Sequence, residues 1–249
     1  PIETNLGKEN PYLMGRIDSD LMYDIVLNWN WGNSERTDIY HDPETRKNSI
    51  SFRSNMARLA EQLINENKTE KAKKVMDLAI EKMPLDYFGY YSLLVPFVDG
   101  YYRINDVKVA QGLSKKIGYK YFDRLEYFNS LSAERQYELG EEIVTEIERY
   151  RSLIEAELKH ADKSDLKLTL NNFTNAIRPF KYLYGDYEFY TNLVDVAEGF
   201  FIIDEIQLAQ NLSTQIANEY SERMELYAQF PISNRAQLKD RIEKEWVAY

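Results

Sequence analysis

The chain has no cysteine in its 249 residues, so disulfides, thiolate catalysis and cysteine-bound zinc are excluded. A cysteine-free chain suits either side of a membrane, which leaves the redox compartment open. Glycine (10) and proline (7) are scarce, and so few turn-formers favour a small number of long helices over many short strands. No apolar run approaches the ~18 residues of a spanning helix, and no stretch of these 249 residues reads as a signal peptide. Basic residues are outnumbered 31 to 41, giving a formal net charge of −10 without any basic block. Nucleic-acid binding depends on Lys and Arg displacing counterions, so an acidic chain argues against that function, and anionic membrane surfaces are disfavoured for the same reason. The start at Pro1, without an initiator Met, reads as an excised domain or a processed product.

Hydrophobic residues make up 44 % and charged residues 29 %, enough apolar side chain for a packed core. The clearest organised stretch is 53–84, RSNMARLAEQLINENKTEKAKKVMDLAIEKMP. Leu59, Ala60 and Leu63 form one apolar helix face, and Ala72, Val75, Met76 and Ala79 form a facing one before Pro84 ends the unit. Its spacing resembles a tetratricopeptide repeat, a helix pair of ~34 residues that stacks on neighbours and offers a surface.

Helical spacing predicts further helices over 20–30, 49–66, 69–83, 87–104, from 106 through 119–128, 132–160, and from about 165 to 184 with a break at Pro179. Residues 33–48 read as a polar loop. An internal repeat lies at an offset of 99: 90–117 (YYSLLVPFVDGYYRINDVKVAQGLSKKI) matches 189–216 (FYTNLVDVAEGFFIIDEIQLAQNLSTQI). Gly100 falls on Gly199, Ile104 on Ile203, Ala110 on Ala209 and Ile117 on Ile216, and the match extends weakly to about 90–147 against 189–246. Ala72, Ala110 and Ala209 hold the same place early in a second helix, where two helix axes approach closely. The expected architecture is all-α: a capping helix and loop over 1–48, then a tetratricopeptide-like array of antiparallel helix pairs over 49–249.

The stretch DSDLMYDIVLNWNWGN, followed by IYHDPETRKNSISFRSNMARLAEQLINENKTEKAKKVMDLAIEKMP, resembles the C-terminal region of a bacterial membrane-protein family, domain-of-unknown-function family 2723. The resemblance is carried by Met22-Tyr23-Asp24, Trp31-Gly32, Ile39-Tyr40 with Asp42, Arg53, Arg58-Leu59-Ala60 and Lys71-Ala72, roughly the first third of the chain. That family is similar to protein O-mannosyltransferases. The resemblance therefore implies a many-spanning parent that transfers sugar from a lipid-linked donor, with this segment as a soluble helical tail on the extracytoplasmic, periplasmic side. The membrane-embedded catalytic part has no counterpart here, so no catalytic residue carries over.

Candidate chemistry is sparse. His41, Asp42 and Glu44 could form an acid/base or metal cluster and support a free-standing hydrolase, but Asp42-Pro43-Glu44 reads more simply as a turn with a helix cap. Glu157 and His160 share a helix face, yet two ligands fall short of the three or four a metal needs. The glutamates between 138 and 148 read as a solvated helix face. No phosphate loop, nucleophile elbow or HExxH helix occurs, so no cofactor or metal is expected. Tyrosine is the unusual feature, with 20 copies. Tyr90, Tyr91, Tyr101 and Tyr102 in one copy of the repeat, with Tyr187 and Tyr190 in the other, could line an aromatic groove for a peptide or glycan. The competing reading puts these rings between helix pairs as core. The sequence thus predicts a non-catalytic interaction module that meets a protein or glycan partner, or its own membrane domain. The alternative is an accessory domain that binds an acceptor.

Overall fold

A computed structural model describes residues 2–3, 16–160, 163–183 and 185–236, with 2–3, 16, 163–165, 185–188 and 191 in backbone only. The fold is all-α apart from one two-residue pairing, in which β1 (Ile2–Glu3) runs antiparallel to β2 (Arg16–Ile17). The helices are α1 (Ser19–Leu27), α2 (Pro43–Asn65), α3 (Thr69–Lys82), α4 (Leu85–Phe88), α5 (Val95–Arg103), α6 (Val107–Asn129), α7 (Ala133–Glu138), α8 (Gly140–Leu158), α9 (Lys163–Ile177), α10 (Gly185–Ile202) and α11 (Ile206–Gln229). Short 3-10 turns fill Tyr91–Leu94 and Arg178–Leu183, the second one at Pro179. The chain divides into two compact units, residues 1–117 and 118–249. None of the described helices is long and apolar enough to cross a membrane.

In the first unit α2 and α3 form the hairpin predicted by their apolar faces. Leu59, Ala60, Leu63, Ala72, Val75, Met76 and Ala79 are all buried. The start of α2 lies six residues before the expected one, because Asp42 accepts hydrogen bonds from the N–H groups of Glu44 (2.9 Å) and Thr45 (3.0 Å) and Pro43 opens the helix. The single helix expected over 87–104 is instead α4, a 3-10 turn and α5. The backbone turns left-handed at Gly89 (φ 68°) and Tyr90 (φ 47°), and Pro96 stands in the first turn of α5. Arg53 secures this break. Its guanidinium is fully buried and donates to the carbonyls of Met83 (2.8 Å), Gly89 (2.5 Å) and Tyr90 (3.3 Å). Burial pulls its pKa down to about 10, which still leaves it charged at neutral pH.

In the second unit the expected long helix from 132 to 160 is split into α7 and α8 at Leu139. Ile143, Ile147, Tyr150, Leu153 and Ile154 of α8 are buried. Tyr150 stacks on Tyr121 (centroids 5.2 Å apart) and meets Phe173 of α9 edge-on at 5.1 Å.

One turn recurs three times. After α2, α5 and α10 a residue with left-handed backbone follows: Asn67 (φ 59°), Asn105 (φ 64°) and Asp204 (φ 64°). In each the next N–H reaches back five residues, from Lys68 to Leu63, Asp106 to Tyr101 and Glu205 to Phe200. A second bond runs from the left-handed residue itself to the residue three before it, in all three cases. This is a Schellman closure, and the next helix starts two residues later. Asn and Asp are the non-glycine residues that tolerate the left-handed region best. The last two turns stand 99 residues apart, the offset of the sequence repeat, whereas 189–193 lie within the unbroken α10 and the matching 90–94 form a left-handed residue and a 3-10 turn. Gly100 and Gly199 mark equivalent close approaches. A Cβ would stand 2.6 Å from Met76 Sδ at the first, and 2.8 Å from Leu170 Cδ1 at the second.

Candidate functional site: an aromatic pocket in the first unit

The turn after α1 places two tryptophans side by side. Gly32 N–H donates to Asn30 Oδ1 (3.0 Å), and Gly32 (φ 58°) and Asn33 (φ 59°) take left-handed backbone. The tight reversal leaves the Trp29 and Trp31 rings 5.5 Å apart. Both meet Phe52 of α2, at 5.2 and 5.7 Å, and the three rings are inclined at 56–62° to one another. Phe52 remains 38 % exposed, which is unusual for a ring in an aromatic cluster and marks an opening rather than a core.

The loop from Asn28 to Asp42 is tied down across this cluster. Tyr87 of α4 donates its hydroxyl proton to the Ile39 carbonyl (2.7 Å), and the same oxygen accepts from the His41 N–H (2.7 Å). The His41 ring lies against Tyr87 and Phe88. Lys82 pairs with Glu35 of the loop at 3.2 Å. Behind the cluster stand Met83 and Phe88, on the segment whose carbonyls Arg53 binds.

These elements line a half-open pocket of about 430 Å³. That lies within the ~300–1,000 Å³ of small-molecule sites. Its apolar walls are Trp29, Trp31, Phe52, Met83 and Phe88, and its polar lining is Asn30, Ser34, His41, Thr45, Asn48 and Ser49. No Asp, Glu, Lys or Arg lines it. Three of the lining residues hold buried polar atoms that have no hydrogen-bond partner: Trp31 Nε1, Ser34 Oγ and His41 Nε2. A buried polar atom left unpaired costs about 1–3 kcal/mol, so three around one pocket are a concentrated departure from the usual rule.

A second, shallower hollow of about 660 Å³ lies between α10 and α11 of the second unit, where Phe201 (65 % exposed) and Ile206 face Ala209 and Ile216.

The tyrosines singled out from the sequence lie elsewhere. Tyr101 is fully buried and donates to Asp77 Oδ1 at 2.7 Å, while Tyr102 is buried beside it on α5. Tyr90 is 37 % exposed and Tyr91 half-buried. Tyr190 is half-buried, its hydroxyl taking a hydrogen bond from Lys181 Nζ (3.0 Å). The Tyr187 side chain is outside the described residues. None of the five described rings lines either pocket. Asp42 is engaged as the cap of α2. The Thr45 hydroxyl and N–H bonds hold its carboxyl below the usual range, and Glu44 pairs with Lys47 at 2.7 Å. Among the described residues no three His, Cys, Asp or Glu side chains gather as a metal ion requires.

The aromatic pocket was not singled out from the sequence, although a signal exists: two of the chain's three tryptophans stand two residues apart in NWNWGN. Compared with protein-family profiles, characterised proteins and solved structures, the chain matches none.

Proposed function

We propose that this chain is a non-catalytic binding module of tetratricopeptide-like helix pairs, in which the first unit holds an uncharged group of its partner in the Trp29–Trp31–Phe52 pocket. The observation that carries this reading is the pocket's chemistry: aromatic walls, exposed amide and hydroxyl side chains of Asn30, Thr45 and Asn48, and no charged lining residue. A hydrolase reading has less support, because Asp42 and Glu44 are committed to a helix cap and an ion pair. The resemblance of the first third to family 2723 supports a place as the soluble, extracytoplasmic tail of a membrane glycosyltransferase-like parent. In that setting the pocket favours the acceptor-binding role over docking onto the parent's own membrane domain, since docking asks for a flat apolar patch and this is a concave aromatic hollow.

The test is an NMR screen of uncharged fragments against the whole chain, reading the three indole N–H signals. Binders are expected to move the Trp29 and Trp31 signals and be recovered unaltered. Phe52→Ala, checked for helicity by circular dichroism, is expected to weaken them at least about tenfold, as loss of an aromatic anchor does. If no fragment moves Trp29 or Trp31, or Phe52→Ala binds as well as the parent sequence, the reading fails.

A further inference from the structure

We infer that the aromatic pocket is one end of a longer docking surface that runs along α1, and that this surface takes a basic amphipathic helix of a partner polypeptide. This rests on the reading of the pocket as a binding site and adds the kind of partner. Six of the nine residues of α1 (SDLMYDIVL) are apolar, yet of these only Val26 is buried. A helix this apolar is normally covered on most sides. One side is held by α3 and the turn before it. Asp20 pairs with Lys68 and with Lys71, both at 2.7 Å, and Lys71 Nζ stands 4.9 Å from the centre of the Tyr23 ring. Another side carries Leu21 (45 % exposed) and Ile25 (42 % exposed), one helical turn apart. The N–H groups of Asn28 and Trp29 bond back to the carbonyls of Ile25 and Val26, so the coil continues and brings Trp29 next along that stripe. Trp29 lines the pocket and meets the exposed Phe52 there. From Leu21 to Trp29 the stripe runs about 12 Å at ~1.5 Å per residue, which matches side chains i, i+4 and i+8 of a facing helix. The Leu21–Ile25 ridge is of the kind that packs into the groove of such a helix. Charge selects the partner. Asp18 and Asp24, both exposed, flank the stripe on the two sides of the helix, and α1 contains no Lys or Arg. Lysines or arginines beside the apolar face of the partner therefore meet carboxylates along α1, and the end of the surface that takes its apolar anchor has no charged lining residue. A second copy of the chain would instead set these acids, and a net charge of −10, against themselves. A bilayer surface cannot fill the hollow, and its anionic headgroups are repelled.

The probe is a synthetic helix of Ala, Gln and Lys carrying Leu, Leu and Phe at four-residue intervals, titrated into the whole isotope-labelled chain. Its controls are the same residues in shuffled order, the helix with Glu for every Lys, and phosphatidylcholine vesicles. The basic helix is expected to shift the Leu21 and Ile25 amide signals together with the Trp29 and Trp31 indole signals. It is expected to bind at least about tenfold more tightly than either control peptide. Ile25→Gln changes an exposed side chain outside the pocket lining. It is expected to weaken the helix at least about fivefold and to leave the binding of uncharged fragments as it was. Asp24→Asn is expected to weaken the helix at least about twofold and to reduce its salt dependence. If fragments bind but the helix binds no more tightly than its shuffled form, or binds Ile25→Gln as well as the parent sequence, the helix assignment falls while the pocket remains a binding site. Vesicles that shift the α1 signals when the helix does not, or α1 signals that move with the concentration of the chain itself, overturn it in favour of a membrane or a second copy. If neither the helix nor any uncharged fragment moves the indole signals, both readings fall.

Discussion

Glu146 is a buried carboxylate on α8. Arg124 Nε and Arg149 Nη1 approach it at 3.5 and 3.6 Å, distances at which a cation pulls less than in a close charge-assisted hydrogen bond. Desolvation therefore wins, and the carboxyl is pushed up from 4.5 to about 7 despite the pull of Arg149. The folded state thus binds its proton more tightly than the unfolded chain does. The neutral acid's stabilising contribution is full below about pH 4.5 and is lost as pH rises through about 7. The displacement corresponds to roughly 3 kcal/mol across that window, at about 1.4 kcal/mol per tenfold change in proton affinity. Glu146→Gln, uncharged at every pH, is expected to flatten the dependence. Urea midpoints of the second unit at pH 5 and pH 8 should differ less in Glu146→Gln than in the parent chain, with the variant the more stable at pH 8. Equal pH slopes in the two proteins would show that Glu146 ionises freely when folded.

At the scale of the element, the repeated helix closure is where sequence and geometry meet most directly. Asn67, Asn105 and Asp204 each hold left-handed backbone, which costs an ordinary L-residue about 1–2 kcal/mol. Asn105→Gly is expected to leave stability unchanged or raise it by up to about 1 kcal/mol. Asn105→Val, whose branched Cβ fits that region worst, is expected to lower it by about 2 kcal/mol or more, and Asp204→Val should repeat the effect in the second unit. Chemical denaturation followed by circular dichroism measures both. The hairpin of α2 and α3 was legible because its apolar faces recur at helical spacing, a signal carried entirely by local sequence. The break of 87–104 was not, because Phe97, Val98 and Tyr101 keep helical spacing while the decisive event is the backbone reversal at Gly89 and Tyr90. Nor does spacing show that Arg53 lies inside. Charged residues belong outside by default, and only the three carbonyls converging from Met83, Gly89 and Tyr90 reverse that preference.

For the whole molecule, abundance misdirects attention and surface charge supplies a sharper test. Twenty tyrosines suggest an aromatic groove, yet Tyr101, Tyr121, Tyr150 and Tyr220 are buried as core. The pocket is built from much rarer residues, two tryptophans and one of two histidines. They come together through a loop tied to α4, a relation no local pattern contains. The acidic surface offers a competing way to recognise a partner, because a net charge of −10 attracts basic segments at long range. Salt separates the two modes. Attraction between exposed charges is screened over about 10 Å at 0.1 M salt and about 3 Å at 1 M, so docking through the acidic surface weakens steeply as salt rises. An uncharged ring in a pocket without charged lining residues has no such term. The Kd of an uncharged fragment bound in the pocket is therefore expected to change less than about twofold between 20 and 500 mM sodium chloride. By mass action, ligand at ten times Kd should stabilise the unit that holds it by about 1.4 kcal/mol. Hydrogen exchange should slow in residues 19–103 and stay as it was in the helices of the second unit. A Kd that rises tenfold over the same salt range, or protection spread equally over both units, would place recognition on the charged surface instead of in the pocket.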